Sequence, residues 1–348
     1  MRRPLVLLSS LVLAITLAVP AVAEPPDEVR FATYNASLNR FNQGDLLADL
    51  EAVASGTPVS QVDNVLAIIA RNDPDVLLVN EFDFDPAAGA LFAELAGYEH
   101  HFIAPSNTGI PSGYDLNNDG VVGGPDDAFG FGFFPGQYGM LVLSRHPLPE
   151  VRTFQEVLWA DMPGARLPEL DGEPWFTDEE LAVVRLSSKS HWDVTVDLPG
   201  HQDVHLLASH PTPPVFDGPE DRNGLRNADE IRFWADYVHP AAGDWIVDDD
   251  GVAGGLAPGS RFVIAGDLNS DPVDGDSLPG AAQQVLDLPF VNTKVTPTSE
   301  GAVEQAILQG PPNVVETAQF DTADFAEPPG NLRADYVLPS RQLKVLDA

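Results

Sequence analysis

Short apolar runs that end in a polar residue recur along this chain, and they restrict its fold more than any other feature. VRFATYN (29–35), DVLLVNE (75–81), YGMLVLS (138–144), VHLLAS (204–209) and RFVIAG (261–266) are too short for buried helices and are bounded by polar or turn residues. They read as buried strands. Four of these runs lead into Asn35, Glu81, His210 and the pair Asp267 and Asn269. A solvated strand end accounts for any one such residue. Together they form a set of carboxylate, amide and imidazole groups, and the carboxylate and amide oxygens suit a hard divalent cation.

Other segments fill in the architecture. Ser60-Gln61-Val62-Asp63 reads as a capping box, with Val62, Val65, Ile68 and Ile69 at helical spacing after it and Asp73-Pro74 as its stop. Residues 87–96 and 228–238 read as helices, and 98–103 as extended. Residues 151–157, 181–186, 191–198, 204–209 and 334–338 read as further strands, many of them antiparallel. This mixture predicts an α/β (α+β) fold, a four-layer α/β sandwich of two packed mixed sheets flanked by helices. The 32 Pro and 29 Gly cluster between apolar runs, and with hydrophobic content at 44% they read as long loops on one domain rather than as disorder.

The N-terminus has the layout of a secretory signal peptide. Arg2 and Arg3 precede an apolar run over 5–19, followed by Ala21-Val22-Ala23 as a small-x-small cleavage signal. Residues 1–23 are therefore expected to be removed, leaving a domain over 24–348 that is secreted, extracellular or periplasmic, and not held at a membrane. The chain has no cysteine, so neither disulfides nor thiol catalysis is available to it. The net charge of −35, from 18 basic against 53 acidic residues, disfavours nucleic acid as a partner. A cation-rich habitat explains the same charge equally well. No P-loop, GxSxG elbow or HExxH helix is present.

ATYN with Asn35, LLVNEFD with Glu81, YGMLVLSRHP with Tyr138, ASHPTPP with His210, IAGDLNSDP with Asp267 and Asn269, and RADYVLPS with Asp335 follow one another along the chain. In this order they resemble the endonuclease/exonuclease/phosphatase (DNase I-like) superfamily, in the manner of a secreted bacterial member, over roughly residues 29–340. GDLN alone is a weak sign; the ordered set is a strong one. The resemblance implies that Glu81, with Asn35 beside it, holds Mg2+ or Mn2+. It implies that Asp267 orients or deprotonates the attacking water, with Asn269 positioning it. His210 and Tyr138 would hydrogen-bond phosphate oxygens, and Asp335 would orient a later histidine. Here the sequence departs from the family, whose members close with an Asp-His pair on a final strand. Every histidine of this chain lies at or before His239. The expectation is a fragment, or else a protein that hydrolyses phosphoesters poorly.

Two further groups of residues stand out. Asp115, Asn117, Asp119 and Gly120, with Asp126 at the twelfth position, fit a lone calcium loop that would brace the 104–137 insertion. Arg222 and Arg226 suit phosphate oxygens, and equally suit pairing with Asp217, Glu220 and Asp221 around them. Lys189 and His191 are candidates to face the same cleft. The reading favoured is a metal-dependent hydrolase of small or soluble phosphate esters. The alternatives are an extracellular endonuclease of the same fold, which needs a local basic groove, and a catalytically impaired, calcium-stabilised binding module.

Overall fold

A computed structural model describes residues 28–198, 200 and 202–348. The expected signal peptide lies outside the described residues. Two sheets carry the apolar runs. In the first, Phe31–Asn35 pairs in parallel with Val76–Asn80, which pairs antiparallel with Met140–Ser144, and that strand pairs antiparallel with His100–Phe102. The second sheet runs Asp335–Pro339, Arg261–Asp267, Val204–Ser209, His191–Val196, Val151–Thr153. Within it only Arg261–Asp267 and Val204–Ser209 are parallel neighbours.

The layering explains why the runs are apolar at every position. All five residues of Val76–Asn80 and all five of Met140–Ser144 are buried, because both faces of the first sheet are covered. Val76, Leu78, Met140 and Val142 face the second sheet and meet Trp192, Val194, Leu206 and Val263. Leu77, Val79, Leu141 and Leu143 face outward, against Leu46 and Leu50 of the helix Asp45–Ala54, Val62 of Ser60–Asn72 and Phe92 of Pro86–Ala96. On the far side, Leu207, Ile264 and Leu338 pack on Ile231, Phe233 and Trp234 of the helix Arg222–Val238. Each such Leu, Ile or Phe contributes roughly 1.5–3 kcal/mol on burial. The helix–sheet–sheet–helix sandwich predicted from the sequence is the fold observed.

Some local readings are corrected by the structure. Ser60 is already helical, with Val59 in the N-cap place and no side-chain cap, so the capping box does not form. A side chain caps from an extended residue outside the helix, which Ser60 is not. A capping box does form at Thr177 and Glu180, and it turns Asp178–Leu181 into a single helical turn. That is why 181–186 is not a strand; only Arg185 bridges to Leu158. The strand expected over 151–157 stops at Thr153, because the carboxylate of Asp249 takes the N–H groups of Gln155 and Glu156. The helix expected from 228 begins earlier, at Arg222, its polar first turn having hidden it.

Candidate active site at the strand ends

The two sheets present the same end of their strands to one cleft. Phe31–Asn35 of the first sheet lies over Arg261–Asp267 and Asp335–Pro339 of the second. Asn35 therefore closes its strand beside Asp267, and Asp267 pairs across the ladder with Asp335. The Asn35 amide nitrogen donates to Glu81 Oε1 at 3.0 Å and to Asp267 Oδ2 at 3.0 Å. Asn39 donates to Glu81 Oε2 at 2.8 Å. Asn39 was not anticipated from the sequence, although it lies only four residues past Asn35.

The backbone at the cleft departs from ordinary conformations. Glu81 (φ 58°), Tyr138 (φ 55°) and Asn269 (φ 50°) all sit in the left-handed region. For an L-residue this costs roughly 1–2 kcal/mol. The distortion re-aims side chains at points where a continued strand would point them elsewhere, and such strain gathers at functional sites. Gly266, next to Asp267, has no room for a side chain: a Cβ there would stand 1.9 Å from the Ser209 carbonyl oxygen. That close approach brings Asp267 to the segment bearing His210.

Asp267 is buried, and burial pushes its carboxyl up, as does the charge of Glu81, while the Asn35 amide and the Asn269 N–H (3.0 Å) pull it down. Asp335 is raised well above the usual carboxylate range by burial and by the Asp267 charge. Thr322 Oγ1 donates to Asp335 Oδ2 at 2.9 Å, but the buried Oδ1 has no partner among the described residues. His210 is buried, its Nε2 stands 3.7 Å from Asp267 Oδ2, and its Nδ1 has no partner. Burial and the nearby Lys189 charge hold the imidazole well below its ordinary pKa, so at neutral pH it is uncharged and the contact with Asp267 is not an ion pair. Asn269 donates from its amide to the Pro211 carbonyl at 3.0 Å, tying the Asp267 turn to the loop after His210.

Lys189 and Tyr138 line a cavity of about 460 Å3 that also reaches Glu81 and His210. Lys189 is buried, and its one hydrogen bond goes to the Pro211 carbonyl at 3.4 Å. Burial lowers its pKa, opposed by the charges of Glu230, Glu81 and Asp267. Glu230, missed in the sequence, accepts from Ser188 N, Ser188 Oγ and Thr212 N, and so joins the segments carrying Lys189 and His210. Asp83 was also missed, though it stands in LLVNEFD. It accepts from Arg40 N and Tyr138 N, and burial pushes it up to about 6.

Other candidates are placed elsewhere. His191 does not face the cleft: it is buried against Phe233 and Trp234, with Nδ1 on Ser187 Oγ (2.6 Å) and Nε2 on the Glu230 carbonyl (2.9 Å). Arg222 and Arg226 reach the cavity wall, Arg226 with its donors engaged and Arg222 with one nitrogen engaged. Arg222 pairs with Glu220 at 2.8 Å, and Arg226 donates to the carbonyls of Leu186, Phe129 and Arg185. The expected calcium loop closes through the residue after its twelfth position. Asp126 is exposed and lines the cavity, while the buried Asp127 closes the loop by accepting from Leu116, Asn117 and Gly123. Asp115 accepts from Asp119 N and Gly120 N, and Asp119 from Val121 N. Among the described residues no group of three or more His, Cys, Asp or Glu side chains is arranged to hold a metal, so the centre is a mixed carboxylate and amide set.

The sequence model described as "Endonuclease/Exonuclease/phosphatase family" matches residues 32–348. No curated protein matches this chain. Among solved structures, the endonuclease/exonuclease/phosphatase from Beutenbergia cavernae is 19% identical over 90% of this chain, with a TM-score of 0.48; this chain spans 64% of its length. Sphingomyelinase C from Streptomyces griseocarneus is 14% identical, with 90% of this chain and 84% of that one covered and a TM-score of 0.44. A beta toxin variant from Staphylococcus aureus with bound magnesium ions is 13% identical, with coverage of 91% and 85% and a TM-score of 0.46.

Proposed function

Because the chain belongs to the endonuclease/exonuclease/phosphatase family, we propose that it is an exported, divalent-metal-dependent hydrolase of small or soluble phosphate esters. The observation that carries this reading is the convergence of Asn35, Glu81, Asp267 and Asp335 from separate strands beside a neutral His210 and a buried Lys189. The donor set fits a hard cation. Burial and the Glu81 charge raise Asp267, burial and the Asp267 charge raise Asp335, and one Asp335 carboxylate oxygen has no partner among the described residues. Glu81 and Asn35 would hold Mg2+ or Mn2+, which supplies charge neutralisation at the phosphoryl group when bound.

The chain's own residues supply the rest. Asp267, raised by burial, is a better base than an ordinary carboxylate and takes the proton of the attacking water. The water oxygen bonds to phosphorus, the ester P–O bond breaks with its electron pair on the leaving oxygen, and that oxygen takes a proton from solvent to leave as the alcohol, while Asp267 returns its proton to solvent. His210 is neutral and has one N–H to give to a phosphoryl oxygen, where charge builds in the transition state. Lys189 adds a positive charge held in the same wall, and Tyr138 a phenol. Asn269 and Glu230 position the loops that carry these groups. Export rests on the Arg2-Arg3 and apolar N-terminal pattern. No helix among the described residues is long and apolar enough to cross a membrane.

The test uses bis(4-nitrophenyl) phosphate, 4-nitrophenyl phosphate and plasmid DNA, each with Mg2+ and with chelator, while calorimetry follows Mg2+ uptake. Chelator-sensitive ester hydrolysis is expected, reduced by a factor on the order of a thousand in Glu81→Gln. Plasmid cleavage that outpaces both small esters would overturn the choice of substrate. Hydrolysis unchanged by chelator and by Glu81→Gln would overturn the metal centre.

A further inference from the structure

The cavity beside the catalytic residues is larger than a phosphoryl group requires. At about 460 Å3 it falls within the range of small-molecule pockets. Its wall continues from Lys189 and His210 into Leu116, Phe129, Phe131, Trp159, Phe176 and Val184. The insertion that separates two strands of the first sheet builds much of this wall. Gly130 lets it close: a Cβ there would stand 1.8 Å from the Ser188 carbonyl oxygen, so the backbone between Phe129 and Phe131 lies directly on the residue before Lys189. At the mouth the apolar surface goes on. Phe131 stacks near Tyr138 at 6.4 Å and near Phe133 at 5.6 Å, and Phe133 lies 5.7 Å from Phe41. Phe216, 86% exposed, lines the opposite lip.

The charged groups of the wall decide what this space accepts. Arg222 is neutralised by Glu220, and Arg226 is held by three backbone carbonyls. Arg226 has its donors committed to the protein, and the Glu220 carboxylate offsets the charge that Arg222 offers an anion. Of the other charged groups, Lys189 stands beside His210 with its ammonium on the Pro211 carbonyl, and Asp126 at the rim is acidic and repels an anionic group. An uncharged apolar group meets no such penalty and gains by leaving water.

We propose that this cavity binds the apolar alkyl or aryl arm of the phosphoester, so that the preferred substrate joins a phosphate to an uncharged hydrophobic group rather than to a sugar or a second phosphate. The assignment rests on the phosphoester hydrolase reading for the identity of the polar end. Affinity for an apolar arm is measurable without turnover, which keeps the two separable.

Calorimetric titration of the full chain in Mg2+ compares hexyl phosphate with methyl phosphate. Hexyl phosphate is expected to bind at least about tenfold more tightly, from the extra methylenes buried. Val215→Trp, which places bulk at a half-buried position in the wall, is expected to reduce that preference to about threefold or less. The double variant Phe131→Ala with Phe216→Ala removes two exposed rings and is expected to weaken the preference without disturbing the fold. Equal affinity of the native chain for the two phosphates overturns the proposal, as does a preference untouched by both variants. Hydrolysis of methyl 4-nitrophenyl phosphate runs in parallel. A hexyl preference with no hydrolysis sinks the hydrolase reading and upholds the cavity assignment; hydrolysis with no preference does the reverse.

Discussion

The strand-end centre and the 115–127 loop are both rich in carboxylate and amide oxygens, but they satisfy them in different ways. In the loop, Asp115, Asp119 and Asp127 accept backbone N–H groups from their own segment. The side chains there shape a turn. At the strand ends the carboxylates come from segments far apart in sequence, face one another, and retain an unpartnered oxygen on Asp335. Burial and neighbouring carboxylates raise Asp267 and Asp335, a cost that a bound cation would relieve. In the loop the accepted bonds are local and set a turn; at the strand ends they run between segments, and one oxygen of Asp335 has no partner among the described residues.

That contrast can be broken most forcefully at Gly266. Gly266→Ala drives a methyl against the Ser209 carbonyl oxygen and separates Asp267 from His210. The expected result is a loss of about 3 kcal/mol in urea denaturation and at least about a hundredfold drop in kcat/KM. A variant with native rate and stability would show that the strands are not held by this contact.

The loop offers the next largest effect. Asp127→Ala strands the N–H groups of Leu116 and Gly123, and about 2 kcal/mol of stability is expected to go with them. Urea denaturation checks the loss. With Ca2+ titrated into the Glu81→Gln chain, calorimetry is expected to detect no uptake that depends on Asp115 or Asp119. Heat that disappears in Asp115→Ala would restore the loop as a cation site.

The smallest effect sharpens the electrostatic side of the comparison. Asp83, under the Glu81 turn, keeps its proton in the folded chain up to about pH 6, against 3.8 as the ordinary value. The folded state therefore binds more protons than the unfolded one between about pH 4 and 6. Stability from this group is full below the lower value and is lost as pH rises through the higher. In chelator, the midpoint temperature of Asp83→Asn, measured from pH 4 to 7, is expected to fall less than that of the native chain. Parallel curves would remove Asp83 from the account.

Much of this was legible along the chain. Residues of the runs ending at Glu81 and Asp267 are apolar at successive positions because both faces of their strands are covered, whereas Phe31–Asn35 lies at a sheet edge, half-buried throughout, and includes Thr33. The site residues were legible for the same reason: a charged or amide group directly after such a run has to emerge at a sheet end. His191 misled because it sits in a polar stretch, SSKSHWD, yet folds inward onto the Glu230 carbonyl. For Arg222 and Arg226 the sequence left phosphate binding and pairing with nearby acids equally open; the structure places Arg222 on Glu220 and Arg226 on backbone carbonyls, which no local pattern marks. Asp126 and Asp127 are adjacent, and only the closed loop reveals which one turns inward.

By itself, then, the sequence determined the layered sandwich and placed Asn35, Glu81, His210, Asp267 and Asn269 at strand ends, since both follow from local periodicity and from where polar residues interrupt it. Tertiary structure alone decided which oxygens stay unsatisfied, which partners Lys189, Arg222 and Arg226 take, and that an insertion rich in Phe and Gly closes over Lys189 to make an apolar cavity. These depend on distances between segments remote in the chain, and no local pattern records them.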